Sequence, residues 1–203
     1  MSNIQITENE SGKYSPEWFY NEAQKPEWIA FIRKADTLHE NFINHFGIEH
    51  LKSLSGKELL TSLFYNDKGN KLNLCYVLEM DKDMREIFGS IAGGAAYKFG
   101  LFFHKKTQSW TCGSPAKPVK LTENEAIQKA EEIRNDLVAG AEIISSFGPL
   151  DSEEDYKQLY IQLEHIPGIN MVWRMKYYQM LFPTLFAPFY GQDIQLRVLH
   201  FLN

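Results

Sequence analysis

IFGSIAGGAAYKFGLFFHKKTQSWTCGSPAKPVKLT, residues 87–122, decides the fold class of this chain. On either side apolar residues recur at three- and four-residue steps. Within the stretch they alternate. Tyr97–His104 and Gln108–Cys112 read as strands flanking Lys105-Lys106-Thr107, an antiparallel hairpin. By alternation Lys98, Gly100, Phe102 and His104 share one face, while Tyr97, Phe99, Leu101 and Phe103 build the core. Trp110 fits either side.

The same stretch holds five lysines (Lys98, Lys105, Lys106, Lys117 and Lys120) and no aspartate or glutamate. The whole chain is acidic, with 26 Asp and Glu against 21 Lys and Arg. A basic segment in an acidic protein marks a local face for a polyanion. The candidate DNA contacts are therefore Lys98, Phe102, His104, Lys105, Lys106, Trp110, Lys117 and Lys120, with aromatics for stacking and lysines for phosphates. The competing account is a solvated sheet face with gatekeeper lysines.

Glycines 89, 93, 94 and 100 invite a phosphate loop. Gly89 to Gly94 has the first spacing of that motif, but Ala95-Ala96 stand where Lys-Ser/Thr is required. Nucleotide hydrolysis by this route is rejected. The glycines then make either a sharp turn or bulge, or a loop whose backbone N–H groups approach a phosphate or base.

Outward from the centre, Leu72–Met80 reads as a strand and Ile87–Ile91 as a further one, giving a mostly antiparallel sheet of three to four strands. Upstream, residues 1–14 read as a disordered lead-in. Helix starts fall at Pro16 and Pro26. Trp28, Phe31, Ile32, Ala35, Leu38, Phe42, Ile43 and Phe46 form an amphipathic stripe ending at Gly47. Ile48–Leu54 and Ser55–Phe64 follow as short helices, the latter opened by a capping box, with a turn at residues 66–70. Downstream, Thr122 and Glu125 form a second capping box before a long helix through about Ser145. Helices at Asp151–Ile166, Met171–Phe182 and Asp193–Leu202 complete the chain. The predicted class is α+β: N-terminal helices, a small sheet with a basic hairpin, and a helical C-terminal half. Residues 15–203 read as one recognition domain with a sub-boundary near 148–151.

Function classes narrow quickly. Aromatics at 14% exclude a disordered chain, and a formal charge of −5 excludes a wholly cationic binder. Cys75 and Cys112 sit in apolar runs and read as reduced, buried side chains. The polar N-terminus is not a signal peptide, and no apolar run reaches ~18 residues. The expectation is a cytoplasmic protein without membrane partners. No H-E-x-x-H, G-x-S-x-G or H-x-E…C-x-x-C spacing appears, so no catalytic residue, metal or cofactor is predicted. Glu79, Asp81 and Lys82 weakly resemble a metal-nuclease cluster. The run from Trp173 to Pro183 reads mainly as core. From His165 onward only Asp193 is acidic, so Arg174, Lys176 and Arg197 could extend the positive surface.

Four segments carry a resemblance: FGSIAGGAAYKFGLFF (88–103), WTCGSPAKP (110–118), EEIRNDLVAGAEIISSFGPLDSEEDY (131–156) and WRMKYYQMLFPTLFAPFYGQDIQLRVLHFL (173–202). The last is similar to a W-x-x-K-Y-x-x-x-L-F-P-x-x-F element, with Trp173, Lys176, Tyr177, Leu181, Phe182, Pro183 and Phe186 at its positions. Together, over about residues 45–203, they resemble the region ahead of the AAA+ motor in McrB-type restriction proteins. The resemblance implies a modular system. A front module recognises DNA, often modified DNA, a GTP-hydrolysing AAA+ ring follows in the same longer chain, and a separate nuclease subunit cuts. This chain carries neither a Walker motif nor a nuclease signature, so it corresponds to the front module. DNA recognition carries over as a role, not residue by residue. A modified base flipped into an aromatic-lined pocket would suit that role. The rival expectation is a protein-interaction adaptor for the motor.

Overall fold

The computed structural model describes residues 16–64, 71–93, 95–148, 150–168 and 172–186. The expected lead-in at 1–14, the turn at 66–70 and the helix at Asp193–Leu202 lie outside them, as do Gly94 and Arg197. The chain divides into two compact units, Met1–Asn41 and Phe42–Asn203.

In the first unit, α1 (Pro16–Ala23) and most of α2 (Pro26–Phe46) begin at prolines, whose missing N–H costs nothing in a first turn. Lys25 bridges to Glu22 at 2.6 Å between them.

The second unit is α+β with a helical C-terminal half. Its helices are α3 (Ile48–Ser53), α4 (Gly56–Leu63), α5 (Leu74–Glu79), α6 (Lys82–Phe88), α7 (Glu123–Ser146), α8 (Glu153–Glu164) and α9 (Val172–Leu181). A 3-10 turn at Ala96–Phe99 leads into β1 (Leu101–His104), β2 (Ser109–Ser114) and β3 (Lys117–Leu121). The sheet is antiparallel in the order β1-β2-β3. Long α7 forms the spine, packing against α3, α4, α9 and all three strands. Its start follows the sequence: the Thr122 hydroxyl accepts from the Glu125 N–H, and the Glu125 carboxylate accepts from the Thr122 N–H at 2.7 Å. Arg134 on α7 donates to the carbonyls of Leu51 (3.0 Å) and Leu54 (2.8 Å), satisfying the end of α3. Trp173, Tyr177 and Tyr178 of α9 are fully buried, and the Tyr177 hydroxyl donates to the Phe46 carbonyl at 2.8 Å.

Several expectations are corrected. Within Leu72–Met80 the chain is helical over Leu74–Glu79: Asn73 accepts from the Tyr76 N–H at 2.9 Å, and Leu74, Cys75, Val77 and Leu78 bury one side. An apolar run this short satisfies either period, and the asparagine cap decides it. Ile87–Ile91 is no strand, because α6 continues to Phe88 from its Asp81 cap. Lys98 belongs to the 3-10 turn rather than to strand β1. Ser55 stands at the N-cap of α4 without the expected side-chain bond, where Gly56 takes a φ of +56° and redirects the chain. Finally, β3 supplies a strand that Lys- and Pro-rich KPVKL concealed. Pro118 is tolerated there because β3 is an edge. Opposite it sits Gly113, where a Cβ would overlap the Lys117 carbonyl.

Candidate functional site

The hairpin tip is held by its own side chains. His104 Nδ1 accepts from the Thr107 N–H at 3.2 Å and lies 2.9 Å from the Thr107 hydroxyl, which in turn lies 2.8 Å from the Ser109 hydroxyl. Accepting at Nδ1 assigns the ring proton to Nε2 in the neutral imidazole. Gln108, at φ 47°, returns its amide N–H to the Lys105 carbonyl at 2.7 Å. The tip therefore presents Lys105 and Lys106, both exposed, from a preformed turn.

Strand register sorts the remaining candidates. Phe102, Thr111 and Lys120 stand in one cross-strand row, with His104 two residues from Phe102 on the same face. Leu101 and Trp110 lie on the opposite face, 0% and 7% exposed, on the core side with α7. Trp110 packs edge-on against Phe103 at 5.3 Å. It is a core residue and offers no ring for stacking.

Two lysines leave the expected patch. Lys98 points inward to the Glu79 carboxylate and donates to the carbonyls of Ile91 (2.9 Å) and Gly93 (2.8 Å). Lys117 pairs with Ser114 at the end of β2 remote from the hairpin tip. Five strand steps, roughly 17 Å, separate it from the row of His104 and Ser109. The structure thus gathers Lys105 and Lys106 at one end of a face carrying Phe102, His104 and Lys120.

Beside that face lies a cleft of about 340 Å³ between β1 and α5. Phe64, Tyr76, Phe99, Phe102 and Phe103 line it, together with Glu79, Met80 and Lys105. Its volume is at the small end of the ~300–1,000 Å³ typical of ligand pockets. Cys75 also lines it, and burial pushes that thiol well up, keeping it neutral. Phe64 and Tyr76 had no signal in the sequence, because they reach the hairpin only through the packing of α4 and α5.

The acids of the nuclease alternative have other partners. Glu79 pairs with Lys98, and Asp81 accepts from the Met84 N–H at 3.0 Å. The second acid-poor region also turns inward. Arg174 donates to Asp136 at 3.3 Å and to the Pro167 carbonyl. Lys176, completely buried, donates to the carbonyls of Phe88 and of Gly89 (3.2 Å). Lys176 and Lys98 therefore draw the glycine-rich loop's carbonyls inward at Phe88, Gly89, Ile91 and Gly93.

No family model matches the chain, and no curated protein or solved structure gives a significant match. Among the described residues no helix is long and apolar enough to cross a membrane.

Proposed function

We propose that this chain is a non-catalytic DNA-recognition module, the front part of a McrB-like restriction or phage-defence system. The observation that carries this is a preformed basic turn, Lys105-Lys106, beside an aromatic cleft to which Lys105 itself contributes. The cleft takes a base, with modified cytosine as the class the family resemblance suggests. The lysines meet flanking phosphates. The module works in front of an AAA+ GTPase motor in a longer chain and delegates cutting to a separate nuclease. It uses no cofactor.

With Lys98 and Lys117 outside the patch, two or three phosphate contacts remain. The log–log salt slope on duplex DNA is then about −2 to −3 by the ~0.9-per-phosphate rule. The test is fluorescence anisotropy over a salt series, using duplexes with different cytosine modifications and their separated strands. Saturable, salt-sensitive binding supports the proposal. No binding to any of these at low salt overturns it.

A second reading, the protein-interaction adaptor, rests on α8. Tyr156, Tyr160 and Ile161 are 45%, 54% and 48% exposed along one helix. Residues at i and i+4 share a helix face, so the two tyrosines form a small apolar stripe. Retention of a McrB-like motor fragment with a flat salt response, and loss of retention on Tyr160→Ala, favours this reading.

A further inference from the structure

The water-facing side of an antiparallel sheet ordinarily carries polar side chains. Here the Phe102 side carries rings, extended by Tyr97 of the preceding 3-10 turn. Tyr97 meets Phe102 edge-on at 4.6 Å, and Phe102 meets His104 at 6.4 Å. All three are half-buried. Leu101 and Trp110 fill the opposite, core-side face, while Thr111, between Phe102 and Lys120 in their row, is 4% exposed. Lys120 stands in the row of Phe102, and Lys105 and Lys106 lie at the hairpin tip beyond His104. No carboxylate occurs anywhere from residue 87 to 122, and Glu79, which lines the adjoining cleft, is neutralised by Lys98.

A duplex cannot use such rings. Its bases are stacked on each other at about 3.4 Å and expose only their edges in the grooves. Stacking on protein aromatics requires base faces, and those become available only when pairing and stacking are lost. We infer that the outer sheet face binds unpaired DNA. Bases of a single strand or melted segment stack on Phe102 and His104, while Lys105, Lys106 and Lys120 contact its phosphates. This rests on the DNA-recognition reading and narrows its substrate. It also explains how a base reaches the neighbouring cleft without first being extracted from a helix.

The experiment uses the full chain and fluorescein-labelled oligothymidylate, with the same oligonucleotide paired to its complement as the duplex arm. Anisotropy at low salt is expected to give at least tenfold tighter binding to the single strand. Phe102→Leu, which keeps apolar bulk at the cleft and removes the ring face, is expected to weaken single-strand binding about tenfold with the salt slope unchanged. Lys106→Ala is expected to lower that slope by about 0.7. Binding to the duplex as tight as to the single strand, or unchanged affinity in folded Phe102→Leu, overturns the inference while leaving DNA recognition standing. Binding to neither arm removes both.

Discussion

The ammonium group of Lys98 is held by the carboxylate of Glu79, joining the turn before β1 to the end of α5. Both side chains are largely enclosed, 20% and 18% exposed. With the carbonyls of Ile91 and Gly93, the lysine has one acceptor for each of its three N–H groups. A residue whose neighbours in sequence suggested an outward DNA contact is instead a clamp on the glycine-rich loop. Lys98→Met leaves the carboxylate and two carbonyls without their donor. We expect a loss of about 2 kcal/mol, below the usual cost of halving a fully buried pair because this one keeps some water contact. Lys98→Met together with Glu79→Leu loses less than the sum of the single changes. Urea midpoints decide it, and an unchanged midpoint for Lys98→Met contradicts the clamp.

Lys176 makes a related tie, to the carbonyls of Phe88 and Gly89, and pH reveals it. Burial pushes its pKa down from the ordinary 10.5 to about 8. Below about pH 8 the lysine is charged in both the folded and the unfolded chain, and folding bears the full cost of desolvating it. Between about pH 8 and 10.5 the unfolded chain binds more protons than the native one, so stability rises with pH. The rise, taken as wild type minus Lys176→Met, is at most about 3 kcal/mol at 1.36 kcal/mol per pKa unit. A flat difference across that window, followed by urea unfolding, rules out the shift.

Where α7 meets α9, Gly140 leaves room for the Tyr178 ring. A Cβ at position 140 would overlap the Tyr178 hydroxyl, which donates to the Asp136 carbonyl at 3.3 Å. Alanine gains about 1 kcal/mol of helix propensity over glycine, but forcing a methyl group into packed atoms costs about 1–3 kcal/mol. Gly140→Ala is expected to be net destabilising. Its effect shrinks in a Tyr178→Phe background, where the overlapping oxygen is gone. Thermal midpoints of the four proteins give the comparison, and equal effects in both backgrounds would falsify the contact.

Thr122 and Glu125 show how legible local signals were. The capping box, the proline starts and the Lys105–Thr107 hairpin were all readable, because each depends on residues within a few positions. Leu72–Met80 was misread because nine residues cannot separate two periods, and β3 was hidden by its edge-strand composition. The site was half legible. Lys105, Lys106, Phe102, His104 and Lys120 stayed on an open surface. The fates of Lys98 and Trp110 were set by Glu79 and by the core against α7, partners that sequence distance concealed.

The Thr122 cap itself makes a pH-dependent prediction. Hydrogen bonds from Thr122 hold the Glu125 carboxyl below the ordinary carboxylate range. Stability from that bond is present above the unfolded pKa and is lost as pH falls through the lower folded value. Thr122→Ala is expected to cost about 1 kcal/mol near neutral pH, and less in acid once Glu125 is protonated. An equal cost at both pH values, by urea titration, speaks against the bond from the Thr122 hydroxyl to the Glu125 carboxylate.

The DNA-recognition proposal makes its sharpest demand on two lysines that composition treats alike. Lys106 sits at the hairpin tip. Lys117 sits at the far end of the sheet, in the row that alternation assigns to the face opposite Phe102. A polyanion following the outer face from the tip reaches the first and not the second. Lys106→Ala should therefore lower the salt slope by about one phosphate contact, and Lys117→Ala should leave it unchanged. Lys98→Met should also keep the wild-type slope under conditions where it remains folded, since its charge is already met by Glu79. Three equal reductions would mean that the protein attracts DNA through its overall basic segment rather than through an ordered surface, and the geometry built from the hairpin would then carry no recognition.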